Sequence, residues 1–226
     1  MILFFHQVFA LVWKDFKTEI RTKERLSAMC FFALLVILIF NFAFKPEPDA
    51  VNSTASGVFW VTVTFSGLLG LTRSFSIERQ NDCLVGLRLC PADPSAIYLG
   101  KMIGNFLTMA LMEAIVLPML ILFMNLTVWD NFFRLLLPLA FGNLGFVAIG
   151  TLFAAISINS RFQETLLPML ALPVLVPALL ATMESFSAVL AGDPFSEIDS
   201  WLRIGGVFAL LFVTICVILF EYVLEE

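Results

Sequence analysis

Six long apolar runs, separated by short polar breaks, constrain this chain more than any other feature of its sequence. Crossing about 30 Å of hydrocarbon takes roughly 20 helical residues. Lipid offers no partner for an unpaired backbone group, so each run must close its own hydrogen bonds as a helix. The runs are Leu26 to Phe44, Gly57 to Ile77, Met102 to Met124, Phe132 to Ile158, Thr165 to Met183 and Trp201 to Leu224. The expected fold class is all-α: a polytopic membrane protein of six transmembrane helices in one domain over residues 1–226. A count of five is the competing reading. It makes the fifth run re-entrant because that run holds Pro168, Pro173 and Pro177, although prolines are tolerated where neighbours satisfy the released carbonyls.

Composition agrees. The chain is 60% hydrophobic and 14% charged, against about half and a quarter in soluble domains. The runs and their connections leave no room for a soluble catalytic domain. The net charge of −5 argues against a nucleic-acid partner, which needs a basic footprint. Cys30, Cys83, Cys90 and Cys216 show no paired metal spacing. Those inside the apolar runs read as small buried hydrophobes.

Met1 to Arg25 lacks the basic start and small-residue cleavage site of a signal peptide. It reads as an amphipathic helix at the membrane interface. Phe4, Val8, Val12, Phe16 and Ile20 form its stripe, flanked by Phe5 and Phe9, with Gln7, Lys14, Lys17, Thr18 and Arg21 off it. A polar loop is expected up to Ser56, and an acidic one with Asp193, Glu197 and Asp199 before the last span. Small residues recur at packing intervals: Ser66, Gly70 and Ser74; Gly100 and Gly104; Gly142, Gly145 and Gly150. Such spacing lets helices approach closely.

Cytoplasmic loops carry the excess of Lys and Arg. With the N-terminus inside, ten of the 13 basic residues fall on one side, leaving Lys45, Arg134 and Arg203 on the other. Both termini are then cytoplasmic. So is the one long charged interruption, Arg73 to Lys101. Within it Leu84 and Leu87 lie one turn apart, with Ile77, Cys83 and Cys90 able to join their face. Pro91 ends that helix. Asp93 then caps a new one with Pro94 in its first position. A short surface helix joined to two spans suits a chain that receives a push from a soluble partner. A solvated loop is the plainer reading.

No nucleophile–base constellation is visible. His6 is the one histidine, which excludes a bis-histidine haem site within one chain, and no Cys-x-x-Cys-His attaches haem covalently. No GxxxxGK[ST] loop binds nucleotide. Paired intramembrane aspartates, a Ser-His pair and a zinc motif are all missing, so intramembrane hydrolysis is remote. Glu113 sits mid-span, where a charge costs about 2.5–3.5 kcal/mol on insertion scales. It is either a pathway or coupling residue or a neutral glutamate hydrogen-bonded between helices, with Asn105 and Asn143 as candidate partners. Pro173 and Pro177 remove two backbone bonds four residues apart and mark a bending element or a static kink.

Several stretches taken in order resemble a known family. They are KDFKTEIRTKERLSAM (Lys14 to Met29), FALLVILIFNFAF (Phe32 to Phe44), GVFWVTVTFSGLLGLTRSFSIER (Gly57 to Arg79), CLVGLRLCPADPSAIYLGK (Cys83 to Lys101) and LPMLALPVLVPALL (Leu167 to Leu180). Together they are similar to the permease subunit of the cytochrome c maturation ABC transporter, the haem exporter protein CcmB family. The resemblance implies a permease domain of six spans in the bacterial inner membrane, paired as a homodimer. It implies two copies of an ATPase subunit that carry the ATP, with contacts at Glu78, Arg79, Asp82, Leu84, Leu87, Arg88 and Pro91. It further implies a haem-handling membrane subunit, a small single-span subunit and a periplasmic haem chaperone. Haem is then the candidate cargo. In the other view ATP hydrolysis frees the haem-loaded chaperone, and the missing axial ligand pair leans that way. Two other classes stay open: an exporter permease for a lipid, polysaccharide or drug, and a membrane scaffold without transport.

Overall fold

The computed structural model of the chain describes residues 2–43, 50–80, 93–126, 128, 131–157, 160 and 162–225. Among them are seven helices and no strand. In chain order they are α1 (Ile2–Thr22), α2 (Glu24–Ala43), α3 (Val51–Gln80), α4 (Pro94–Met124), α5 (Phe132–Ser157), α6 (Gln163–Ala191) and α7 (Phe195–Glu225). Six of them, α2 to α7, are long and apolar enough to cross a membrane. The fifth run is thus one unbroken helix, and the count is six. Interior α3 packs on α2, α4, α5 and α6, while α5 packs on α6 and α7. Much of the surface of α2, α6 and α7 faces outward.

Local chemistry explains where the helices start and stop. Asp93 caps α4, its Oδ1 accepting from the Ser95 N–H at 2.9 Å, with Pro94 next to it. That helix runs on through the third span without a break. It ends where Asn125 takes the left-handed conformation, with φ of 51°, which Asn tolerates better than most residues. Gly192 ends α6 at φ 79°, a conformation glycine adopts without a Cβ penalty. Between α1 and α2 stands Lys23 alone, also left-handed at φ 53°. A single residue in that region folds one helix back on the next.

Two expected loops are shorter than the sequence suggested. Residues 51–56 form the first turns of α3 instead of a polar loop. Their hydroxyls find carbonyls: Ser53 Oγ donates to Ala50 O at 3.1 Å, and Ser56 Oγ to Met183 O at 2.6 Å on α6. Glu197 and Asp199 of the expected acidic loop lie in the opening turns of α7, where negative charge suits the helix dipole. Only Asp193 sits in the link before it.

The small-residue positions act as close-packing points. Gly70 receives Met29 of α2, Gly67 faces Met109 and Phe146, Gly142 lies against Trp60 and Thr182, and Gly150 against Leu71. Phe59, Trp60 and Phe186 form a stacked aromatic cluster between α3 and α6, the Phe59 and Phe186 rings 4.9 Å apart. Tyr98 is fully buried and donates its hydroxyl to Ala148 O at 2.8 Å, joining α4 to α5.

Candidate functional site

Helix α1 lies alongside the first half of α4. The two run in register, with Leu11 against Gly100 and Asp15 against Gly104. Of the expected stripe, Phe4, Val8, Val12 and Phe16 are partly buried along with Leu11, Asp15 and Glu19, whereas Ile20 and the flanking Phe5 and Phe9 are exposed with Trp13. A second apolar face of α1 is thus left exposed.

The packed face carries charge that sequence reading passed over. Lys101 is 2% exposed, and its Nζ lies 2.8 Å from Asp15 Oδ2. Burial raises the Asp15 pKa, but the nearby ammonium groups of Lys101 and Lys14 outweigh it, so the carboxyl stays below its usual range. One turn on, Arg25 is also buried. Its Nη1 donates to Asn105 Oδ1 at 2.8 Å, its Nη2 to Thr108 Oγ1, and its Nε lies 3.3 Å from Glu19 Oε2. Glu19 Oε1 in turn accepts from the Leu26 N–H at 2.8 Å, and Asn105 Nδ2 donates to Thr151 Oγ1 at 3.0 Å. The network ties α1, α2, α4 and α5 together. At its rim Arg73 of α3 pairs with Glu24 of α2 at 2.9 Å. Two of the basic residues that argued for topology, Arg25 and Lys101, are thus held inside the fold. The signal that could have found this was the i, i+4 spacing of Asp15 and Glu19, opposite a lysine flanked by Gly100 and Gly104.

The second polar feature is Glu113, 5% exposed on α4. Of the two asparagines expected near it, Asn143 of α5 is the partner, its Nδ2 lying 3.4 Å from Glu113 Oε2. Asn105 belongs to the arginine network instead. Glu113 Oε1 and Asn143 Oδ1 are buried and have no hydrogen-bond partner among the described residues. Both residues line a cleft of about 280 Å³ between α4 and α5, walled by Phe106, Leu117, Phe132 and Leu136. Among the described residues the wall offers no His, Cys, Met, Tyr or Lys side chain to a metal.

Other expected positions are dispersed. Pro173 and Pro177 lie on the exposed side of α6, which stays helical through both. Glu78 and Arg79 belong to the last turn of α3, but their side chains are outside the described residues. So, with their backbone, are Asp82, Leu84, Leu87, Arg88 and Pro91 and the surface helix expected there. His6 is exposed on α1, and Cys216 is a buried free thiol.

Comparison with known proteins decides the family. The family model described as CcmB protein matches residues 6–223. This chain belongs to the CcmB family. Among its relatives is the heme exporter protein B of Rhodobacter capsulatus, 26% identical over 171 residues, covering 76% of this chain and 78% of that one. The Haemophilus influenzae protein of the same name is 24% identical over 185 residues, 82% of this chain and 83% of the relative. The Escherichia coli one is 33% identical over 116 residues, half of each chain. The match to the CcmB family takes in the six apolar helices, the α1–α4 contact and the Glu113 cleft. It also spans the interval between α3 and α4.

Proposed function

We propose that this CcmB-family chain is the membrane permease subunit of an ABC transporter that serves cytochrome c maturation in the bacterial inner membrane. The observation that carries the reading is the family match over nearly the whole chain, joined to six helices fit to span a bilayer. The chain has no nucleotide-binding loop of its own. ATP is therefore hydrolysed by a separate ATPase subunit, held by the segment from Glu78 to Pro91. Two permease copies and two ATPase copies work with a haem-handling membrane subunit, a small single-span subunit and a periplasmic haem chaperone. Both termini face the cytoplasm, and residues 1–226 act as one permease domain.

Haem is the cargo or the load of the chaperone. With His6 as its one histidine the sequence offers no obvious axial ligand pair, which leans toward ATP-driven release of the loaded chaperone over passage of haem through this chain. The experiment is a haem-stained gel of membranes from a strain without the gene, before and after the gene is restored. Covalent haem signals should vanish and return. Signals that persist, in a strain with no second copy, overturn the reading.

A further inference from the structure

The cleft between α4 and α5 brings Glu113 and Asn143 together among apolar side chains. Two buried oxygens there, Glu113 Oε1 and Asn143 Oδ1, have no hydrogen-bond partner among the described residues. Pro118, on the same wall, has no N–H to give the carbonyl of Ala114 four residues earlier, and both residues line the cleft. Such groups cost free energy in a water-poor site unless donors reach them. A single hydroxyl brings one donor, whereas a primary ammonium brings three and is also the counter-charge that lets Glu113 ionise in a water-poor site. Water brings two, but water is held by sites with two to four polar partners, about 30 Å³ per molecule. The volume of about 280 Å³ is far larger than one water, and apart from Glu113 and Asn143 the described lining is Phe, Leu, Ala and Pro side chains. That space suits hydrocarbon. Its size is just below the usual range of small-ligand pockets, about 300–1,000 Å³.

We infer that this cleft binds an amphiphile with a protonated primary amine, the ammonium between Glu113 and Asn143 and the chain along Leu117 and Leu136. The site does not depend on the haem reading, and either can stand without the other.

The test uses the full chain in nanodiscs with two photoreactive probes of equal chain length, an alkyl-diazirine dodecylamine and the matching dodecanol. Crosslinked peptides are located by mass spectrometry. The amine should label 106–118 and 132–143 about tenfold more than the alcohol, the value of one charged hydrogen bond. Glu113→Gln, checked for an unchanged melting temperature, should fall to the alcohol level, and Leu136→Trp should block the amine by filling the cleft. Equal labelling by amine and alcohol, or amine labelling unchanged in Glu113→Gln, overturns the proposal. The wild-type comparison decides the matter even if a variant fails to accumulate.

Discussion

Lys101 Nζ sits 2.8 Å from Asp15 Oδ2 with 2% of the lysine exposed. A buried ammonium without its counter-charge is costly, so Asp15→Asn should destabilise the chain by about 3–5 kcal/mol. The double variant Asp15→Asn with Lys101→Met should recover most of that loss, since no charge is left stranded. Thermal unfolding of the purified variants in one detergent measures both. If Asp15→Asn melts like the parent, the pair does not hold α1 in place.

The same pair fixes a pH dependence. The folded Asp15 carboxyl titrates below its usual range, so it binds fewer protons folded than unfolded at mildly acid pH. Its stabilisation is present above the ordinary carboxylate pKa, about 3.9, and is lost as pH falls through the lower folded value. Protection of α1 amides, measured relative to their intrinsic exchange rate at each pH, should thus hold at neutral and mildly acid pH and fall only in strong acid. Loss of protection already on going from neutral to mildly acid pH would contradict the assigned direction.

Arg25 reaches Asn105, Thr108 and Glu19 with three different nitrogens. Lysine keeps the charge but cannot bridge three partners from a rigid fork. Arg25→Lys should therefore lower stability by about 1–3 kcal/mol, the range of one or two charged hydrogen bonds. Asn105→Ala in the Arg25→Lys background should cost less than Asn105→Ala alone, and a double-mutant cycle on melting data reads that coupling.

The helices were legible because lipid allows few solutions: a 20-residue apolar run has to be a helix. Caps at Asp93 and close approaches at Gly70, Gly100, Gly104 and Gly142 follow from local chemistry, and they appeared where spacing placed them. What stayed hidden was pairwise. Asp15 and Lys101 are 86 positions apart, and no periodicity within α1 says which face meets α4. Four of the five α1 stripe residues, Phe4, Val8, Val12 and Phe16, are partly buried, but the stripe did not reveal the charged residues Asp15 and Glu19 beside it. Glu113 stood out as a charge in mid-span. The choice between Asn105 and Asn143 depended on how α4 turns against α5, which Arg25 helps decide by taking Asn105. The ATPase contacts rested on loop position and family resemblance alone.

Pro173 and Pro177 leave the carbonyls of Met169 and Pro173 without helical donors on the outer face of α6. Replacing both prolines by alanine restores two backbone bonds. Stability should rise by about 1–3 kcal/mol, at about 0.5–1.5 for each bond. If α6 bends during the working cycle, the stiffer helix should also slow ATP turnover in the assembled complex while leaving ATPase association intact. Higher melting with unchanged turnover would identify a static kink.

Under the proposed function, α3 is the helix that would pass on a push from a cytoplasmic partner. It runs unbroken from Val51 to Gln80 and packs on α2, α4, α5 and α6. Its last turn carries Glu78 and Arg79. A carboxylate in place of a cation there reverses the local charge toward any partner. Arg79→Asp should therefore insert and melt normally but lose the ATPase subunit on co-purification, by about tenfold or more for a charge pair turned repulsive. Under the proposed function, Leu87→Asp should also lose the ATPase subunit. Undiminished co-purification of both variants would place ATPase recruitment elsewhere on the chain, and the exposed ridge of Phe5, Phe9 and Trp13 on α1 would be the next surface to alter.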